Sequence, residues 1–187
     1  MSMGSDAASA AAATVPALVA VDPAWARLAA LYALIRDVYA TSDAMSEDFE
    51  DRFPSPSALA VEVAEVTARP GGLVLAADAL PLPLGYLVVE PRRQARLRHT
   101  AELTMGVASS ARGRGIGRLL VAEALTRIAA AGIVEIVYLM VRADNLRAQE
   151  LYRHAGFERV ALLARDTRID GRYHDGVLMR RFVGGFG

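Results

Sequence analysis

The chain of 187 residues contains no cysteine and no lysine, and all 21 of its basic residues are arginine. Without cysteine there is no disulfide, no thiolate metal site and no cysteinyl acyl intermediate. Without lysine a Walker-type phosphate loop is excluded, and Schiff-base chemistry goes with it. Charge of one sign is not in excess either: 21 acidic residues balance the arginines and the formal net charge is zero. A sequence-independent nucleic-acid binder carries a basic excess, so no nucleic-acid partner is expected. No apolar run approaches the roughly 18 residues that span a bilayer, so no membrane association is expected. The alanine-rich stretch "SDAASAAAATVPALVA" has no basic beginning and is interrupted by Pro16, which makes a poor secretory signal. The expected location is therefore cytoplasmic. His99, His154 and His174 show no metal-ligand spacing, and no metal is expected.

What is present suits one buried core. Hydrophobic residues make up 53% of the chain and charged residues 22%, at a length that favours a single domain. Residues 1–13 are rich in Ser, Ala and Gly and are expected to form a disordered tail, with one domain over residues 14–187. Residues 14–23 read as a strand. Asp22-Pro23 then resembles a cap and first turn that open a helix, "AWARLAALYALIRDVYA". The acidic connection "TSDAMSEDFEDRFPSP" leads to a second helix from Ser57 to about Arg69. After the breaker Pro70-Gly71-Gly72, the segments "LVLAADALPLP", "LGYLVVEP" and "HTAELTMGVA" read as strands. The last two are joined by "RRQARLR" as a hairpin connection.

The second half carries sharper signals. Ile116, Leu119, Leu120, Ala124 and Ile128 form a helical stripe, Glu123 and Arg127 pair on the other side, and Gly132 stops the helix. "IVEIVYLMV" is a nearly continuous apolar run, as in a strand buried on both faces. "DNLRAQELYRHAG" reads as a short helix capped by Asp144 or Asn145 and ended by Gly156. Two further strands, "FERVALLARDTRI" and "RYHDGVLMRRFV", flank the turn signal Asp170-Gly171.

The densest signal is "ASSARGRGIGRLL", residues 108–120, where three glycines alternate with arginines and run into the helical stripe. A dinucleotide fingerprint is one reading. Here, however, Arg118 stands where the third glycine should be, and Glu135 lies at the wrong end of the next strand for a ribose. A purely structural turn is a second reading, although three glycines exceed what a turn requires. The third is a pyrophosphate cradle. Orphan N–H groups and the helix dipole converge at a helix start, Gly113, Gly115 and Gly117 let backbone approach phosphate, and Arg112, Arg114 and Arg118 screen charge.

Arg112-x-x-Gly115-x-Gly117, following a strand and opening a helix, resembles the acetyl-CoA signature of the Gcn5-related N-acetyltransferase (GNAT) family. Downstream, Asn145, Ala148, Leu151, Tyr152, Gly156 and Phe157 resemble the family's second hallmark, Asn-x-x-Ala-x-x-Leu-Tyr-x-x-x-Gly-Phe. The resemblance is tight from about Glu102 to Val183 and looser before that. It implies an α/β fold with a mixed, mostly antiparallel central sheet of about six to seven strands, flanked by about four helices. It implies transfer of an acetyl group from acetyl-CoA, as acyl-donor cosubstrate, to a primary amine of a small molecule or peptide by direct attack. The implied cofactor-binding residues are Val107, Arg112, Gly113, Arg114, Gly115, Ile116, Gly117, Arg118, Asn145 and Tyr152.

Tyr152 is the implied general acid at the leaving sulfur, and a backbone N–H around Val107 the oxyanion donor. Glu102, on one strand face with Thr104 and Gly106, is the candidate base; Glu90, a water chain, or a merely solvated carboxylate remain alternatives. Family members that acetylate ribosomal-protein N-termini carry a glutamate five residues before the motif Asn, where this chain has Met140. The acidic residues Asp43, Glu47, Asp48, Glu50 and Asp51 attract a cationic amine or merely solvate a loop. Trp25 and Tyr32 read as core, and Tyr173 and Asp175 as residues that could reach the acceptor cleft. Relatives are often homodimers. The alternative function is a non-catalytic CoA-binding regulatory module.

Overall fold

The computed structural model describes residues 16–42, 44–45 and 47–184. The tail expected over residues 1–13, and Asp43 of the acidic segment, lie outside these. Seven strands form one sheet: β1 (Ala17–Ala20), β2 (Leu73–Asp78), β3 (Gly85–Pro91), β4 (Thr100–Val107), β5 (Ile136–Arg142), β6 (Glu158–Ile169) and β7 (Arg172–Phe182). Their spatial order is β1-β2-β3-β4-β5-β7-β6. Every neighbouring pair is antiparallel except β4 and β5, which run parallel. A parallel pair requires a long crossover. Here it is the helix α4 (Ile116–Ala131).

Helices cover both faces of β2, β3 and β4. The helices α1 (Leu28–Ala40) and α3 (Pro56–Thr67) pack on one face, and α4 packs on the other. Each buries residues three or four apart: Leu31, Leu34, Ile35 and Val38 from α1, Leu59, Val63 and Val66 from α3, Leu120, Val121, Ala124 and Ile128 from α4. Fully burying one such aliphatic side chain stabilises by roughly 1.5–3 kcal/mol. Helix α3 starts at Ser55, whose Oγ accepts from the Ala58 N–H at 3.2 Å, with Pro56 at the first helical position. Helix α4 ends on Gly132 in the left-handed conformation, and Glu123 and Arg127 pair along it at 2.7 Å. The helix α5 (Leu146–His154) follows β5, and the Asp170-Gly171 turn has positive φ at both residues, as a two-residue hairpin requires.

The structure corrects two expectations and adds one element. The first helix begins at Leu28, not after Pro23. The Asp22 carboxylate accepts from the Ala24 N–H at 2.8 Å, and Trp25 and Leu28 donate backwards to Asp22 and Trp25, so two tight turns precede the helix. The helices number five among the described residues. The addition is α2 (Phe49–Arg52) inside the acidic connection, where Phe49 and Phe53 turn inward against Tyr39. Strand β5 is not buried on both faces. Val137, Leu139 and Val141 are buried, but Ile136 and Tyr138 are half-buried and Met140 is exposed, because no helix covers that side of β5 among the described residues.

Candidate active site

The β4–β5 ladder is short: only Thr100, Ala101 and Glu102 pair with Ile136, Val137 and Tyr138. Beyond that point the two strands continue unpaired with each other, leaving a fork. The Ala108 N–H donates to Leu84 O and the Arg92 N–H to Thr100 O, which fixes the alternation along β4. Even-numbered residues turn their polar backbone groups toward β3, and odd-numbered ones toward β5. The backbone groups of Met105 and Val107 therefore face the fork, past the end of the ladder.

Beside the fork's open end lies the glycine-rich turn. Before the helix its backbone carries three bonds of its own, Ala111 N–H to Ala108 O, Arg112 N–H to Ser109 O and Arg114 N–H to Ala111 O. The first helical bond of α4 is Leu119 N–H to Gly115 O. The N–H groups of Gly113, Gly115, Ile116, Gly117 and Arg118 have no backbone acceptor, as at any helix start. Gly113 and Gly115 have φ of 85° and 83°, the left-handed region that glycine adopts without strain. A Cβ at Gly115 would meet no atom within 4 Å, so the turn stands clear of the rest of the protein at that residue. Gly117 serves differently: a Cβ there would come within 2.9 Å of both Leu151 Cδ1 and Met105 Cε, so its absence lets α4 close on β4 and α5.

The arginines divide in role. Arg112 is a strap: its guanidinium donates to Val107 O, Thr41 O and Thr41 Oγ1 at 3.3, 3.0 and 3.1 Å, tying the turn to the end of α1. Arg114 and Arg118 are exposed beside the free amides. Arg147 Nη2 lies 3.1 Å from where a Gly113 Cβ would stand, a further cation at the turn that its place in the sequence did not single out.

Helix α5 closes the other side of the fork. Asn145 is its cap, with Oδ1 accepting from the Ala148 N–H at 3.1 Å, which leaves the side-chain amide's N–H groups for another partner. Tyr152, two turns on, is buried at 7% exposure, with its ring 5.7 Å from that of Phe157. Among the described residues none hydrogen-bonds its hydroxyl. Burial raises its pKa well above the ordinary 10.0, so the phenol is held protonated.

The opposite face of β4 carries Glu102, Thr104 and Gly106. Glu102 sits at the fork itself, paired in the ladder with Tyr138, its side chain 56% exposed and 4.0 Å from Arg92. Glu90 is committed to Arg69 at 2.5 Å. Beneath α1 and α3 an apolar cavity reaches Thr104, lined by Ile35, Tyr39, Phe53, Val63, Tyr86 and Val88 among others. Its charged members, Arg52 and Glu62, bind each other at 2.8 Å, and Arg52 also reaches Glu47 at 3.3 Å. Tyr86 is 3% exposed, and its ring lies across Gly106: a Cβ there would come within 2.6 Å of Cε1 and 3.2 Å of Cζ. Burial raises its pKa too, with charges at Tyr39, Arg52, Glu62 and Tyr152 all within electrostatic reach.

Other candidates fall elsewhere. Tyr32 donates to Phe53 O at 3.2 Å and Trp25 packs on the core, both structural. Tyr173 is exposed between the guanidinium groups of Arg165 and Arg168, 5.3 and 5.5 Å from its ring centre, and Asp175 accepts from the Arg165 N–H. His154 bonds the turn before it, and His174 stands 3.9 Å from Asp144. No cluster of three or more His, Asp or Glu side chains suited to a metal occurs among the described residues, nor any helix long and apolar enough to cross a membrane.

A mostly antiparallel seven-stranded sheet, forked at its one parallel pair with a glycine-rich helix start at the mouth, defines an acyltransferase fold. Residues 29–157 match the family model of the acetyltransferase (GNAT) family, and the chain belongs to that family. It is 47% identical over 81 residues to N-alpha-acetyltransferase RimI of Mycobacterium tuberculosis, a match covering 43% of this chain and 48% of that protein. The chain thus spans about half the length of that relative, and less of other curated relatives it matches. Among solved structures, a ribosomal-protein-alanine N-acetyltransferase from Brucella melitensis superposes with a TM-score of 0.73 at 29% identity, over 89% of this chain and 99% of that one. A phosphinothricin acetyltransferase from Sinorhizobium meliloti, solved in complex with AcCoA, shares the fold with a TM-score of 0.80 at 24% identity, over 91% and 90%.

Proposed function

We propose that this chain is an acetyl-CoA-dependent N-acetyltransferase, folded as one domain over residues 14–187, that moves an acetyl group directly to a primary amine of a small molecule or peptide. The observation that carries the reading is the set of five amides without a backbone acceptor, at Gly113 and from Gly115 to Arg118, where α4 begins beside the fork. A diphosphate answers all of them at once, and the α4 dipole adds to the attraction. Asn145 and the fork-facing backbone of Met105 and Val107 suit the amide-bearing arm that follows a diphosphate in coenzyme A. The names of the similar proteins point the same way.

The acyl donor supplies an activated carbonyl with a thiol leaving group. The chain supplies the rest. The Val107 N–H donates to the carbonyl oxygen as negative charge gathers there. Tyr152, held protonated by burial, donates a hydrogen bond and then a proton to the departing sulfur, and a proton taken back from water restores the phenol before the next turnover. Only a neutral amine attacks, and Glu102, at the fork on the other face and open to solvent, is placed to receive its proton and return it to water. Glutamate is replaced by Met140 at the position five residues before Asn145, so no carboxylate assists from β5 there.

The test is thiol release from acetyl-CoA with a panel of amines. Release that depends on an amine supports the reading. Tight acetyl-CoA binding with no release from any amine would assign the chain instead as a CoA-binding module.

A further inference from the structure

We infer that Arg147, in the first turn of α5, is a second jaw for the donor's diphosphate, holding from the β5 side of the fork what the amides of α4 hold from the β4 side. The inference rests on the acetyltransferase reading and adds to it a binding residue that lies outside the glycine-rich turn.

Three observations carry it. First, Arg147 belongs to α5 yet reaches the turn before α4, its Nη2 lying 3.1 Å from where a Gly113 Cβ would stand. Gly113 therefore does more than take a φ of 85°: a side chain there would crowd the guanidinium that rests against the turn. Second, Arg147 has no hydrogen bond or ion pair among the described residues. Farther along the same two helices the arginines are matched, Arg127 to Glu123 and Arg153 to Glu150, both at 2.7 Å. Third, the charges run against the helix dipoles. Neither α4 nor α5 has an acidic residue in its first turn, and Arg118 and Arg147 stand there instead. A helix start favours negative charge and disfavours a cation. At its other end α5 follows that rule, with Arg153 and His154 in the last turn. Cations are thus gathered at two helix starts without a carboxylate of the chain to balance them. A diphosphate balances both, and the planar fork of guanidinium donors suits its oxygens.

The experiment compares the full chain with Arg147→Gln and, as a control on the same helix, Arg153→Gln. Acetyl-CoA and acetyl-dephospho-CoA, which lacks the 3′-phosphate, are titrated into each by calorimetry. Arg147→Gln should weaken both donors by the same factor, about tenfold, and Arg153→Gln should leave both within about twofold. Without a donor, the unfolding midpoint of Arg147→Gln should equal or exceed that of the unaltered chain, because a cation has left a helix start. Unchanged affinity, a loss no larger than that of Arg153→Gln, or a lowered donor-free midpoint would overturn the proposal. So would a loss confined to acetyl-CoA, which would give Arg147 to the 3′-phosphate. No acetyl-CoA binding by the unaltered chain would instead overturn the acetyltransferase reading beneath it.

Discussion

The two faces of β4 are built on different principles. On the side of α4 and α5 the candidate site is made of backbone: amides without an acceptor, two left-handed glycines, and a third glycine where a Cβ would crowd Leu151 and Met105. Few residue types satisfy those demands, so the solution is written as a fixed spacing. On the side of α1 and α3 the sheet meets packed side chains, apolar residues around a cavity of about 20 Å³ whose lining includes the Arg52–Glu62 ion pair. Many combinations of Val, Ile, Phe and Tyr fill such a space equally well. One face offers backbone groups at a fixed spacing, and the other a packing of side chains that many sequences can supply.

Variants on one face should leave the other intact, and that separation can be broken experimentally. The largest effect is expected from Gly115→Asp, which adds a negative charge where phosphate is to sit and puts a side chain at φ 83°. Acetyl-CoA affinity should fall by more than about a hundredfold by calorimetry, whereas Val88→Phe should leave it unchanged. Next is Tyr152→Phe: kcat should fall by about a hundredfold, with acetyl-CoA affinity within about threefold. Equal kcat for the two proteins would remove the phenol from the chemistry. Asn145→Ala should lower stability by about 1 kcal/mol through loss of the α5 cap, read as a lower unfolding midpoint. A protein of unchanged midpoint would mean that the cap contributes nothing.

Smaller effects follow from titration. Tyr152 and Tyr86 have folded pKa values raised above 10.0 by burial. Their unfolded forms lose the proton first, so stability is fully present below pH 10 and declines as pH rises beyond it. Denaturant unfolding at pH 9 and pH 11 should show that decline, and Tyr86→Phe should make it shallower. The smallest effect is expected at Glu102, whose carboxylate is exposed and exchanges protons with water. Glu102→Gln should lower kcat/KM less than tenfold, and a larger loss would make it the principal base.

Legibility followed the same division. From Glu102 onward the glycine spacing and the Asp170-Gly171 turn could be read directly, because each depends on a backbone conformation that few residues adopt, and the Asn145 cap and Tyr152 because they stand at fixed positions of one short helix. Arg112 was legible as a residue of the motif but not as a strap, since Thr41 lies 71 positions away in sequence. The start of α1 was misplaced because Asp22 satisfies a turn as readily as a helix. An apolar run made β5 look buried on both sides, although its uncovered face borders the fork. Tyr86 gave no signal at all. Its position across Gly106 comes from the β3–β4 register, which no local pattern encodes.

The central claim is that the amides at the start of α4 hold the acyl donor's diphosphate. Its most direct measurement is the amide nitrogen–proton NMR spectrum of the full chain titrated with acetyl-CoA. The signals of Gly113, Gly115, Ile116, Gly117 and Arg118 should move most and saturate together. If acetyl-CoA binds while those five stay still and other amides shift, the claim is contradicted.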